Sequence, residues 1–338
     1  MTFLTILVSC IAFVAIVWCL FQVSRWWLGR PSGSDGLSAP RTSLDDAFKL
    51  DAQSGPVLDV SGGQHTPFQG HYLATACDLA YLPEAEARVR FRDELNLDAR
   101  LISVDNTQVY VCQNAESIVV AFRGSEIPGS IDGFKDWLLT NARNFLVIPE
   151  GRLGTDFAAA GVGARFHRGF MEALAEVWNP LHQAVDEAMR FRERPLWITG
   201  HSLGGAIALM AAWRLHQHFI PVHQICTFGA PMVGNAKAAE AYAKEFPGKI
   251  VRYVDFNDMV PKLPTMSLFS NQYNHVQREL VLGEQEDADA VRLAGPAIAS
   301  PDGPISQSVA DEVWGNVQSR IASHLMGNYL AQINRQLS

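Results

Sequence analysis

Hydrophobic and polar positions follow three regimes along the chain. In the first, Met1 to Ser24, there is no charged side chain, and Phe3 to Val23 is almost wholly apolar. A helix of that length spans roughly 36 Å, enough to cross a hydrocarbon core of about 30 Å. Trp18, Trp26 and Trp27 cluster toward one end, where indole rings favour the membrane interface. Nothing basic precedes the run and no small-x-small site follows it before Arg25. The pattern therefore predicts an uncleaved single-pass anchor over 1–28, with secretion after signal cleavage as the alternative. Arg25, Arg30 and Arg41 follow the span; positive charge stays on the cytoplasmic side, which predicts a cytoplasmic globular part.

The second regime, 29–45, has turn residues and no periodicity, and reads as a tether. The third, 46–338, alternates helical and strand periods. Ser117–Phe122, Leu196–Thr199, Gln224–Phe228 and Ile250–Val254 are short apolar runs rich in Val and Ile, the pattern of strands buried on both faces. Phe170, Leu174, Val177, Leu181, Val185 and Phe191 recur at near-helical steps between two of them. Leu203 to Phe219 gives another helix, rich in Ala and Leu, and a helical stretch begins near Leu73. Strands alternating with helices predict an α/β domain with a mostly parallel central sheet flanked by helices. Gly151–Gly163 and Gly283–Ser308 read as long loops.

Composition narrows the partners. Hydrophobic residues are 48% and charged residues 18%, which supplies a sizeable core and rules out a disordered chain. A net charge of −8 disfavours a nucleic-acid groove. Cysteines 10, 19, 77, 112 and 226 show no CxxC spacing, so neither a zinc framework nor a disulfide scaffold is expected. No phosphate loop or dinucleotide fingerprint occurs, and no metal or cofactor is predicted.

The chemistry concentrates at Trp197-Ile198-Thr199-Gly200-His201-Ser202-Leu203-Gly204-Gly205. An apolar strand runs into Gly-x-Ser-x-Gly and a helix follows at once, the context of a nucleophile elbow. Such a turn strains the serine backbone and needs small flanking residues, which Gly200 and Gly204 supply. The helix start beyond it directs N–H groups toward developing negative charge. A serine hydroxyl is a weak nucleophile and needs a histidine base oriented by a carboxylate, in the order Ser, acid, His for this type of elbow. His275 and His324 both lie downstream of a plausible acid, whereas His201 points away across the turn. After strand Val251–Val254, Asp255 and Asp258 both reach the carboxyl end of the sheet, where ligands bind; Asp255 reads more simply as an ordinary loop carboxylate.

These strings together resemble the class 3 lipases, the fungal-lipase-like branch of the α/β hydrolases. The resemblance rests on Gly-His-Ser-Leu-Gly-Gly, Ala121-Phe122-Arg123-Gly124-Ser125, Phe166-His167-Arg168-Gly169-Phe170 and Asp258-Met259-Val260-Pro261-Lys262-Leu263-Pro264, in the family's order across about residues 70 to 330. It implies Ser202 as nucleophile, Asp258 as acid, and His324, with Tyr329 beyond it, as base. It makes His275 a structural histidine. It implies an oxyanion hole from the N–H of Leu203 and from Ser125. It also implies a lid over 127–139, with Ile131, Phe134, Trp137 and Leu138 as its residues; by spacing Ile131, Phe134 and Leu138 share one helical face, and a fixed amphipathic helix is the alternative.

The expected activity is hydrolysis of lipid carboxylic esters, most simply acylglycerols, by a membrane-anchored enzyme. A phospholipase or short-chain carboxylesterase would use the same residues. The alternative outside catalysis is an inactive, membrane-tethered binding protein, against which the intact Ser, Asp and His argue.

Overall fold

A strand buried on both faces must be apolar at successive positions, and four apolar runs become the centre of one sheet. The computed structural model describes residues 56–58, 65–124, 146–147, 151–258, 260–262, 273–283 and 321–337, all within the unit Ala47–Ser338. Among the described residues the first elements are helices α1 (Pro67–Leu79) and α2 (Glu84–Leu95), then strands β1 (Asp98–Val104), β2 (Thr107–Gln113), β3 (Ile118–Phe122) and β4 (Leu146–Val147). Helix α3 (Gly151–Ala158), strand β5 (Phe166–His167) and helix α4 (Arg168–Phe191) lead to β6 (Leu196–His201) and α5 (Leu203–Gln217). Next come β7 (Gln224–Phe228), β8 (Gly234–Asn235), α6 (Ala236–Glu245), β9 (Ile250–Asp255), β10 (Tyr273–Asn274) and β11 (Arg278–Leu282). Helices α7 (Ile321–His324) and α8 (Met326–Leu337) follow.

The main sheet has seven strands in the order β1-β2-β3-β6-β7-β9-β11. β1 to β3 form an antiparallel meander, and β3 to β11 run parallel. The register alternates cleanly. Val119, Ala121 and Trp197 pack with α1, α2 and α8 through Leu73, Phe91 and Tyr329. Val120, Phe122 and Ile198 pack on the other face with α4 and α5 through Leu174, Leu181 and Leu209. α5 is buried from Gly204 to Leu215, which explains why its sequence has no polar face. The apolar stripe of α4 is buried as its period implies, except Phe191, which is 49% exposed beyond the core.

Two readings of the sequence change. Gly151–Gly163 is no simple loop: Gly151–Ala158 is helical. Its side chains are claimed by tertiary contacts that composition does not announce. The Phe157 ring lies 4.9 Å from that of Phe166, Trp213 Nε1 donates to Asp156 O at 2.8 Å, and Arg214 pairs with Asp156 at 2.8 Å. Only 159–163 remains outside the helix, with Gly161 and Gly163 at positive φ. Second, strand β1 and the edge strand β11 escaped the apolar pattern because each carries half-exposed positions.

Residues 1–55, which hold the apolar run and tether, lie outside the described residues, as do 284–320. Among the described residues no helix is long and apolar enough to cross a membrane.

Candidate active site

The carboxyl ends of β6, β7 and β9 deliver the site. At the end of β6 the chain reverses into α5 through Ser202, held at φ 56° and ψ −128°, a conformation costly for a residue with a side chain. The reversal is tight. A Cβ on Gly200 would lie 2.2 Å from Gly204 O, and one on Gly204 would lie 2.4 Å from Phe122 O. Both positions therefore exclude every side chain, which is the physical content of Gly-x-Ser-x-Gly here. Ser202 N–H donates to Phe228 O at 2.9 Å, tying the elbow to β7.

Ser202 Oγ lies 2.8 Å from His324 Nε2, and His324 Nδ1 lies 2.7 Å from Asp258 Oδ2. All three side chains are buried. Burial alone would push Asp258 up, but the neighbouring His324 and hydrogen bonds from His324, Tyr329 and the Val260 N–H outweigh it and hold the carboxyl below its ordinary value. An ionised carboxylate only accepts, so Nδ1 carries the proton and Nε2 presents its lone pair to the serine hydroxyl. Tyr329 O–H donates to the same Asp258 oxygen at 2.7 Å. Burial and the Asp258 charge drive the phenol well above its ordinary value, so it keeps that proton.

Two further histidines frame the pair without joining it. The His201 ring lies 4.8 Å from that of His324. Its Nε2–H donates to His324 O at 2.7 Å, and its Nδ1 lies 2.7 Å from Tyr81 Oη. Burial and the adjacent His324 lower His201 to about 3, so it stays neutral beneath the His324 ring. His275, between β10 and β11, donates from Nε2 to Pro261 O at 2.6 Å. It braces the short 3-10 turn Val260–Lys262 that follows Asp258, and burial with the nearby Arg252 lowers it to about 4.

Leu203 opens α5, so its N–H belongs to the first turn, which lacks intrahelical acceptors. Ser125 lies outside the described residues, as do Ile131, Phe134, Trp137 and Leu138. Gly124 lies beside the elbow: Phe122 pairs with Gly200, and a Cβ on Gly124 would lie 2.7 Å from His201 O. Among the described residues no group of His, Cys, Asp or Glu is arranged to hold a metal ion.

Four contributors were missed by sequence reasoning. Tyr81 and the hydroxyl role of Tyr329 carried no local signal. Gly229, at φ +58°, would place a Cβ 2.8 Å from Asp258 Oδ2 and 3.1 Å from the His324 ring; its position just after an apolar strand was the available clue. The fourth, Asp255, is 2% exposed rather than an ordinary loop carboxylate.

A mostly parallel sheet with a strained serine between its strand and helix, an acid after a later strand and a histidine near a last helix defines a lipase-like α/β hydrolase. Residues 119–268 match the family model of the class 3 lipases. It is 26% identical over 226 residues to secreted mono- and diacylglycerol lipase 3 of Gibberella zeae, covering 66% of each chain. It is 28% identical over 186 residues to the chloroplastic phospholipase A(1) DAD1 of Arabidopsis thaliana, covering 50% of this chain and 40% of that one. The chain thus spans less than two thirds of the length of these relatives. A fungal lipase crystal structure superposes with a TM-score of 0.53 at 20% identity, over 68% of this chain and 83% of that chain, a likeness of fold.

Proposed function

We propose that this chain hydrolyses carboxylic esters of glycerol lipids through Ser202, His324 and Asp258. The observation that carries the reading is the unbroken hydrogen-bond line from Ser202 Oγ through His324 to Asp258, at 2.8 and 2.7 Å, starting from a strained elbow. Ser202 Oγ attacks the ester carbonyl while His324 Nε2 takes its proton. Asp258 orients the ring and stabilises the imidazolium, without itself taking the proton. The oxyanion accepts hydrogen bonds from the N–H of Leu203 and from Ser125. His324 then returns the proton to the leaving alcohol, and water enters by the reverse path to release the acid.

Acylglycerols are the preferred substrates, since one relative is named a mono- and diacylglycerol lipase. A phospholipid is the second reading, favoured by the phospholipase relative. In this reading 46–338 is the catalytic domain, 29–45 its tether and 1–28 a membrane anchor, supported by the absence of any charged side chain from Met1 to Ser24. Secretion, as the name of one relative suggests, is the competing fate of that segment. The segment with Ile131, Phe134, Trp137 and Leu138 serves as a lid that turns toward lipid.

The test is labelling of the full chain by a fluorophosphonate, followed by turnover on diacylglycerol, phospholipid and p-nitrophenyl esters. Labelling that disappears in Ser202→Ala, with turnover highest on diacylglycerol, is the expected result. Absence of labelling in folded protein would leave only the tethered binding protein. Fractionation for membrane-bound against released protein decides the fate of residues 1–28.

A further inference from the structure

Asp258 and His324 stand 66 residues apart in the chain, so covalent linkage does not set the distance between them. Something else must. Asp255, the last residue of β9, is buried and reaches both sides. Its Oδ1 accepts from Asn257 N–H at 2.7 Å, and its carbonyl accepts from Asp258 N–H at 3.1 Å, shaping the turn that presents Asp258. Its Oδ2 accepts from Asn328 Nδ2 at 2.9 Å and from Gln332 Nε2, both on α8. The same Asn328 amide donates to Ser323 O at 3.1 Å, one residue before His324. Asp255 N–H donates to Tyr329 Oη at 3.0 Å.

From this geometry we infer that Asp255 is a positioning residue: its carboxylate latches the segment carrying His324 to the turn carrying Asp258 and thereby sets their bond. The inference rests on the hydrolase reading for its kinetic consequence. Among the described residues every donor to the Asp255 side chain is a neutral amide. An asparagine in its place turns an NH₂ toward α8; the Gln332 amide can flip to accept it, but Asn328, whose NH₂ also serves Ser323 O, cannot, so Asp255→Asn breaks the latch at Asn328 at nearly constant volume. Moving the charge across the pair, with Gln332→Glu added, gives the new NH₂ an acceptor.

Two readouts on the full chain test this. The first is kcat per folded molecule on a short soluble ester, with folded fraction from near-UV circular dichroism. Asp255→Asn should lower kcat at least tenfold with KM within twofold, and Asp255→Asn/Gln332→Glu should bring it back to within about threefold. Asn328→Ala, which keeps Asp255, should lower kcat severalfold, and carries the comparison if Asp255→Asn does not fold. The second is the downfield proton resonance of the His324–Asp258 hydrogen bond, identified by its loss in His324→Ala. It should move in Asp255→Asn and return in the double variant. A lower melting temperature with unchanged kcat and resonance would overturn the latch. So would a loss that Gln332→Glu leaves unrecovered while Asn328→Ala leaves kcat unchanged, which would trace the effect to the Asn257 turn alone. If hydrolysis survives Ser202→Ala, the hydrolase reading falls, while the resonance still decides the latch.

Discussion

Ser202 takes its place from its chain neighbours, whereas Asp258 and His324 take theirs from residues far along the chain. The serine is fixed by β6 before it, α5 after it and two glycines within two residues. Asp258 and His324 meet because a β9 turn, a 3-10 turn and α8 are tied by Asp255, Tyr329, Asn328 and His275. Backbone geometry fixes the first half and side-chain hydrogen bonds fix the second. The two halves should therefore fail differently. The first tolerates no added atom; the second degrades one bond at a time.

The largest effects come from removing the reacting groups. Ser202→Ala should abolish fluorophosphonate labelling and lower kcat/KM by several orders of magnitude, and His324→Ala should cost nearly as much, because such groups act as a unit. Steady-state kinetics on p-nitrophenyl butyrate measures both. Substantial turnover in folded Ser202→Ala would sink the mechanism.

Next comes the elbow itself. A methyl group at Gly204 would lie 2.4 Å from Phe122 O and 2.8 Å from Arg123 backbone atoms, and β3 is held between β2 and β6. Gly204→Ala should cost on the order of 3 kcal/mol or more by overpacking and strain. Urea denaturation measures it, and a loss below about 1 kcal/mol would show that the elbow yields.

The distal half should respond more gently. Tyr329→Phe removes one donor to Asp258 and the acceptor of Asp255 N–H. A buried hydrogen bond to a charged group contributes about 1.5–3 kcal/mol, so kcat should fall roughly tenfold to a hundredfold while labelling persists. An unchanged kcat would mean that His324 and the Val260 N–H suffice to hold the carboxylate.

The same division explains what could be read from the sequence. The four central strands, α4, α5 and the elbow follow local rules of period, glycine spacing and turn chemistry, and their bounds lie within a few residues of the observed ones. Asp255 and Tyr81 act through partners 73 and 120 residues away, and nothing in their neighbourhood announces that. Helix α3 was hidden likewise, because Gly151 and Gly154 locally disfavour a helix and only Phe166, Trp213 and Arg214 reveal its packing. Strand β1 lacked a continuous apolar run because part of it faces solvent, whereas the buried run Val109–Cys112 of β2 was legible but missed.

The smallest effect separates the two downstream histidines, His324 in the site and His275 under the acid's turn. Burial and Arg252 lower His275 to about 4 in the folded chain, below the ordinary value near 6.5. Between those pH values the unfolded chain binds a proton that the folded chain refuses, so stability falls as pH falls through that window. The contribution is complete above about pH 7 and should be reduced by about 1–2 kcal/mol at pH 5. His201, lowered to about 3, adds a loss of the same sign, and the depressed Asp258 adds its own only below the ordinary aspartate range. His275→Gln keeps an amide donor toward Pro261 O but cannot titrate. It should therefore lower stability by about 1 kcal/mol at pH 7 and flatten the decline between pH 7 and pH 5, with kcat at pH 7 changed less than threefold. Urea midpoints of both proteins at the two pH values measure the difference. Parallel declines would show that His275 does not resist protonation, and a collapse of kcat without unfolding would move it from brace to base.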